Sequence, residues 1–282
     1  MIIILIKLIA AHLIGDFIFQ TDKICEMKYS NELSKSLTGL AIHSGIQAML
    51  SYVFIAEWTL WIVPLVIFVS HFFIDLIKIS FNGKRLPAFI SDQLAHYIII
   101  IGLWWVLCAK GCFNISTPYL SLTFWAILTS YIAVLVPTSI LIKSFIEFEG
   151  WIPNQSTSTE ERSQQEGQPQ QEEQPQQEER PQQEERPQQE ERPQQEESLQ
   201  GLPNAGKWIG FLERVLILTF IYTNNIEGIG FLLAAKSVFR FGELNRTQDI
   251  KVTEYVLIGT FVSFTIAIVI GFGVKWLIGL DY

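Results

Sequence analysis

Cysteine is nearly missing from this sequence. Cys25, Cys108 and Cys112 are all it holds. Three thiols cannot build the framework of a disulfide-stapled secreted domain, and Cys108 and Cys112 lack the CxxC spacing of a zinc ribbon, so free thiols are expected. Missing too are the glycine pattern of a nucleotide-binding loop, a nucleophile elbow and a helical HExxH. Charged residues make up only 17% of the chain, and no basic stripe marks a nucleic-acid partner. The N-terminus shows neither the leading basic region nor the small-residue cleavage site of a signal peptide. Its apolar run continues past His12 and Asp16 to Gln20, which predicts a retained first helix.

What the chain does hold is apolar length. A bilayer's hydrocarbon core, about 30 Å thick, needs roughly 20 apolar residues of helix. Segments 2–20, 37–56, 58–79, 88–109, 119–142 and 252–278 meet that measure. Two shorter ones, 208–223 and 226–241, are separated by Asn224 and Asn225 and read as tilted, re-entrant or paired half-helices. The expected fold is all-α: a polytopic transmembrane helical bundle of about eight membrane segments.

Between Asn154 and Leu199 the composition turns to Gln, Glu, Pro and Ser, with hexads of the type Pro-Gln-Gln-Glu-Glu-Arg starting at Pro169, Pro175, Pro181, Pro187 and Pro193. So little apolar surface cannot offset the entropy of ordering, and regular prolines break helices, so a disordered low-complexity insert is expected. The tract from Glu160 to Glu197 carries 13 Glu against 4 Arg, which accounts for the chain's net charge of −8. The acidity therefore says nothing about the helices. The predicted organisation is an N-terminal transmembrane bundle over 1–152, the insert over 153–204, and C-terminal membrane helices over 205–282.

Orientation follows from the cations. Lys23, Lys28 and Lys35, then Lys78, Lys84 and Arg85, then Lys236, Arg240, Arg246 and Lys251 fall in alternate loops, while the intervening turns carry only Lys110. Positive loops stay in the cytoplasm, so the N-terminus is predicted outside and the insert cytoplasmic. Trp58, Trp61, Trp104, Trp105 and Trp151 lie near segment ends, where amphipathic rings favour the interface.

The four histidines of the chain, His12, His43, His71 and His96, fall one in each of the first four segments. Three have an aspartate four residues away, as His12/Asp16, His71/Asp75 and Asp92/His96, so each pair shares a helix face. The order of His and Asp inverts in the fourth segment, where the predicted chain direction also inverts. All four imidazoles then sit at one depth, about two turns inside the cytoplasmic ends, with the aspartates one turn nearer the cytoplasm. On the second segment the equivalent aspartate position is Gly39, expected to leave room for water or substrate. Imidazole and carboxylate converging from several helices is the donor set of zinc, with iron and manganese as alternatives. The same residues also fit a proton relay or a network of helix-to-helix hydrogen bonds.

The segments His12-Leu-Ile-Gly-Asp-Phe-Ile-Phe-Gln20, His71-Phe-Phe-Ile-Asp-Leu-Ile-Lys78 and Asp92-Gln-Leu-Ala-His96 resemble the bacterial membrane proteins catalogued as domain of unknown function 3307. Leu212-Glu-Arg214, Ile229–Ser237 and Glu254–Thr260 resemble that family as well, leaving the insert outside the pattern. The resemblance implies a polytopic protein of a bacterial inner membrane and no established activity. The His and Asp pattern is also similar to that of membrane proteins described as metal-dependent hydrolases, thought to be distantly like zinc-dependent phospholipase C.

The leading expectation is a membrane hydrolase whose divalent metal, held by His12, Asp16, His43, His71, Asp75, Asp92 and His96, lowers the pKa of a water. Asp16, Asp75 and Asp92 are also the candidate general bases, and seven donors could serve two ions. The substrate is expected to be lipid-linked or phosphate-bearing, with Arg214, Lys236 and Arg240 as candidate anion donors; the alternative for these three is an interfacial salt-bridge set. A metal or proton transporter and a non-catalytic membrane adaptor are the competing functions. A transporter needs polarity on both sides of the site, and the outer halves of the first four segments carry little. A topology reporter fused within residues 169–193 should read as cytoplasmic in intact cells; periplasmic activity there would reverse the whole assignment.

Overall fold

A computed structural model describes residues 1–80, 85–111, 121–148, 205–241 and 250–279, with side chains omitted at 85, 205, 239–241 and 250–256. The predicted insert, Cys112 and Trp151 lie outside the described residues. Those described form nine α-helices: α1 (Ile2–Phe17), α2 (Asp22–Lys28), α3 (Leu33–Ile55), α4 (Ile62–Ser80), α5 (Arg85–Ala109), α6 (Leu122–Phe148), α7 (Ala205–Tyr222), α8 (Glu227–Phe241) and α9 (Ile250–Leu277). There is no strand among them.

Five helices are long and apolar enough to cross a membrane: α3, α4, α5 from Leu86, α6, and α9 from Leu257; α1 with α2 makes a sixth if that bent pair counts as one span. These helices fit an integral membrane protein. Of the about eight segments expected, five or six meet that measure among the described residues. The 15 residues of α8 extend only about 22 Å at 1.5 Å per residue, short of the hydrocarbon thickness.

The first segment differs from the single helix expected over 2–20. It ends at Phe17, and the chain turns by 82° into α2. Thr21 starts the new helix, its hydroxyl accepting from the Ile24 amide, and Asp22 complements the positive helix end. The seven-residue α2 packs along α3, and Ser36 donates a hydrogen bond to the Lys28 carbonyl at 2.7 Å. Gly39 makes that contact possible. A Cβ there would stand 2.7 Å from both the Lys28 amide nitrogen and Met27 Cβ. The space expected at Gly39 for water or substrate is instead filled by the backbone of α2.

The helix α1 packs against α3, α5 and α6, and α4 bridges α3 and α5. One end of this group is an apolar core including Ile4, Leu8, Ile55, Val63, Ile100, Leu107 and Trp125. Lys7 reaches into it, its ammonium 3.5 Å from the Ile55 carbonyl at the end of α3 and 5.5 Å from the Trp125 ring centre. A cation at a helix C-terminus and over an indole face is favourable on both counts. A second core joins Val134 of α6, Ile217, Leu218 and Ile221 of α7, and Phe264 and Ala267 of α9. Pro137 inside α6 supplies no amide hydrogen to the Ala133 carbonyl. The Thr138 hydroxyl donates to that carbonyl at 2.9 Å instead.

Gly39→Val should destabilise the bundle by about 1–3 kcal/mol, the cost of overpacking a fitted contact. Thermal unfolding of the detergent-purified protein reads this; an unchanged transition would mean that α2 does not rest on α3.

Candidate metal centre

Each of the first four bundle helices carries one imidazole inward: His12 on α1, His43 on α3, His71 on α4 and His96 on α5, all buried. The His12 and His96 rings stack with centroids 5.0 Å apart, His71 lies 4.0 Å from His96, and His43 lies 4.9 Å from His71. Asp75 and Asp92 are buried beside them, and the Asp16 side chain is only 8% exposed. The structure thus brings all seven His and Asp candidates into one cluster. The helical spacing explains it, since i and i+4 side chains lie one above the other on a face.

Within the cluster, three donor atoms form a triangle. His43 Nε2 and His71 Nε2 are 3.0 Å apart, and each is 3.3 Å from Asp16 Oδ1. Asp75 Oδ2 lies 3.6 Å from the first nitrogen and 3.8 Å from the second. Ligand atoms at the usual 2.0–2.1 Å from a tetrahedral ion stand about 3.3–3.4 Å from one another. The three atoms of the triangle therefore have close to the spacing of such a shell, with Asp75 Oδ2 slightly beyond it. Asp75, Asp92 and His96 form a further group of donors that could hold an ion, and His12, Asp16 and His71 another.

Charge bookkeeping narrows the choice. Lys28 donates to Asp75 Oδ2 at 2.6 Å, and Lys78 to Asp92 Oδ2 at 2.6 Å. No lysine or arginine among the described residues pairs with Asp16. Its carboxylate is held by amides: Gln47 donates to Oδ1 at 2.5 Å and Gln93 to Oδ2 at 3.0 Å. With the imidazoles neutral, three carboxylates face two ammonium groups, and one negative charge remains at the apex of the triangle. A buried anion calls for a cation or a proton. In addition, His43 Nδ1, His96 Nε2 and Asp92 Oδ1 are buried without a hydrogen-bond partner among the described residues. Orphaned polar atoms of this kind call for a group to complete them.

Sequence reasoning missed Lys28, Gln47, Lys78 and Gln93. Gln47 also bonds the His12 carbonyl at 3.2 Å, and the Gln93 side-chain oxygen lies 3.3 Å from His12 Nε2. The signal was present, since Gln47 follows His43 by one turn inside an apolar segment and Gln93 adjoins Asp92. Lys28 was read as a loop cation because α2 was not foreseen. The candidate anion donors lie elsewhere. Buried Arg214 bonds Ser139 at 2.6 Å, Ser263 at 3.1 Å and the Leu135 carbonyl at 3.4 Å, and Lys236 is paired with Glu213 at 2.7 Å. The Arg240 side chain is outside the described residues. Cys25 and Cys108 are free thiols.

An all-helical bundle of membrane-crossing length, closed around a His/Asp centre, is the class that fold and site define. Residues 4–123 match the family described as "Protein of unknown function (DUF3307)", a match that takes in all seven donors and stops short of α7 to α9. No curated protein and no solved structure matches the chain.

Lys28→Met leaves Asp75 buried without its counter-charge and should cost about 3–5 kcal/mol in chelator-treated protein. Adding Asp75→Asn should restore most of that loss. Equal destabilisation in single and double variants, read by thermal unfolding, would show that the pair is not coupled.

Proposed function

We propose that the N-terminal bundle holds a divalent metal, zinc by donor type, and that the protein is a membrane hydrolase of lipid-like substrates. The observation that carries the metal is the triangle of His43 Nε2, His71 Nε2 and Asp16 Oδ1, with Asp75 Oδ2 near a fourth corner and no lysine or arginine among the described residues paired with Asp16. Two imidazoles and a carboxylate also make the ligand set of hydrolytic zinc sites, which keep a position open. His12, His96 and Asp92 surround this set, and with Asp75 they are the donors available to a second ion.

Bound there, the ion would polarise water and a substrate oxygen near neutral pH. The chain's own residues do the rest. Asp92 is fixed through Oδ2 by Lys78, while its Oδ1 accepts no hydrogen bond among the described residues and has His96 Nδ1 3.8 Å away, so Oδ1 is the acceptor for the proton of the attacking water. The hydroxyl part joins the acyl or phosphoryl centre of the substrate, and the proton passes from Asp92 to the leaving oxygen. Gln47 and Gln93 hold Asp16 in the orientation that aims Oδ1 at the two imidazoles, as outer partners of ligands do. Arg214, bonded only to hydroxyls and a carbonyl among the described residues, is the strongest of the three anion candidates, since Lys236 already has Glu213. The proposed setting is a bacterial inner membrane with the N-terminus outside and the insert in the cytoplasm.

Elemental analysis of detergent-purified protein tests the centre. Wild type should retain metal, and His71→Ala and Asp16→Asn should weaken it by at least the roughly 10–100-fold that loss of an outer partner costs. Asp92→Asn should keep the metal of the His43, His71 and Asp16 triangle and lose hydrolysis of lipid esters and phosphodiesters. A folded wild type that retains no metal and binds none on addition would sink the proposal and leave a hydrogen-bonded network or a proton path.

A further inference from the structure

Beside the histidines lies a cavity of about 10 Å³, room for the centre of one water-sized group. It touches His12, His71 and His96 and continues past them between Leu8, Gln47, Ser51, Ser70 and Ile99. Its boundaries are unequal. Towards Lys7 it meets the buried apolar core of Ile4, Ile55, Val63, Ile100 and Trp125, which offers no polar route. On the aspartate side, Lys28 is bonded into Asp75 and α2 is seated on Gly39. Behind it, Leu8, Gln47 and Ser51 are all buried, and α1 is backed by α3 and α6.

The remaining wall is α4 with α5, and it is thin. Ser70 and Ile99 are the half-buried members of the lining. Immediately outside them stand Val69, Phe73, Leu94 and Ile98, large apolar side chains 43–67% exposed. In a helix of membrane-crossing length such a face meets lipid tails. We propose that the seam between α4 and α5 is a lateral portal, through which a membrane lipid presents an acyl-ester carbonyl to the His/Asp centre. A room for one water-sized group takes a single carbonyl on a chain, not a whole headgroup. Ser51 and Ser70 line it with hydroxyls that donate to the Ala48 and Ile67 carbonyls of their own helices and can rotate towards an ester oxygen instead, a polar contact that a hydrocarbon chain does not need.

The substrate class deepens the hydrolase reading and rests on it for the reaction; access through the seam does not depend on bound metal. The test uses the full chain in phosphatidylcholine vesicles containing a phospholipid with a photoactivatable diazirine on the acyl chain next to the ester, and adducts are mapped by mass spectrometry. Adducts are expected on buried Gln47 and Ser51 as well as on Ser70 and Ile99. Ile99→Trp should lower those on Gln47 and Ser51 severalfold and leave those on outward-facing Phe73 and Ile98 unchanged. Ile99→Ala should raise the buried adducts, which keeps the test decisive if the tryptophan variant fails to fold. Adducts confined to Phe73 and Ile98, or buried adducts indifferent to both substitutions, overturn the portal. Elemental analysis of the same samples separates the two ideas: metal without buried adducts removes the portal alone, and buried adducts without metal remove the hydrolase alone.

Discussion

Three carboxylates share one buried layer, and everything around them answers the cost of keeping charge away from water. Desolvating an ion costs several kcal/mol even after the protein relaxes. Asp75 and Asp92 each receive a lysine, and Asp16 receives two carboxamides and two imidazole nitrogens. The route of the chain serves these pairings. The bend after Phe17 delivers Lys28, Gly39 lets the bend lie close, and Lys78 reaches across from the last turn of α4.

Asp16 is the exception that gives the arrangement a chemical direction. Its surroundings supply hydrogen bonds without supplying charge, so the centre as a whole stays one positive charge short. A network that served cohesion alone would gain from a third lysine here. The atoms of His43, His96 and Asp92 that lack a hydrogen bond among the described residues add to that imbalance, and the imbalance lies where the imidazole nitrogens crowd together.

Much of this was legible in the sequence, because helical geometry is strict. A His and an Asp four residues apart must share a face, and inversion of their order between α4 and α5 keeps both layers at one depth. Apolar run length likewise identified α3, α4, α5, α6 and α9. Neither rule reaches α2, whose seven residues are too few to show a periodicity and whose turn depends on a tertiary contact with Gly39. Gln47 and Gln93 escaped for another reason: an amide carries no charge, so its presence in an apolar segment looks cheap until its partner Asp16 is known. The extent of α7 and α8 was ambiguous because short apolar helices pack equally well as spans or as half-spans.

The bend between α1 and α2 also bears on how the protein is made. During synthesis α1 leaves the ribosome before α3, α4 and α5, carrying Lys7, His12 and Asp16 within 16 residues, a costly load for a solitary helix in a bilayer. Its remedies arrive later: the Ile55 carbonyl and Gln47 with α3, His71 with α4, and Gln93 with α5. Lys28, fixed to the end of α1, in turn waits for Asp75 of α4. Insertion and assembly are therefore coupled, and the free energy that holds α1 at its final depth is supplied by helices not yet translated when it leaves the ribosome.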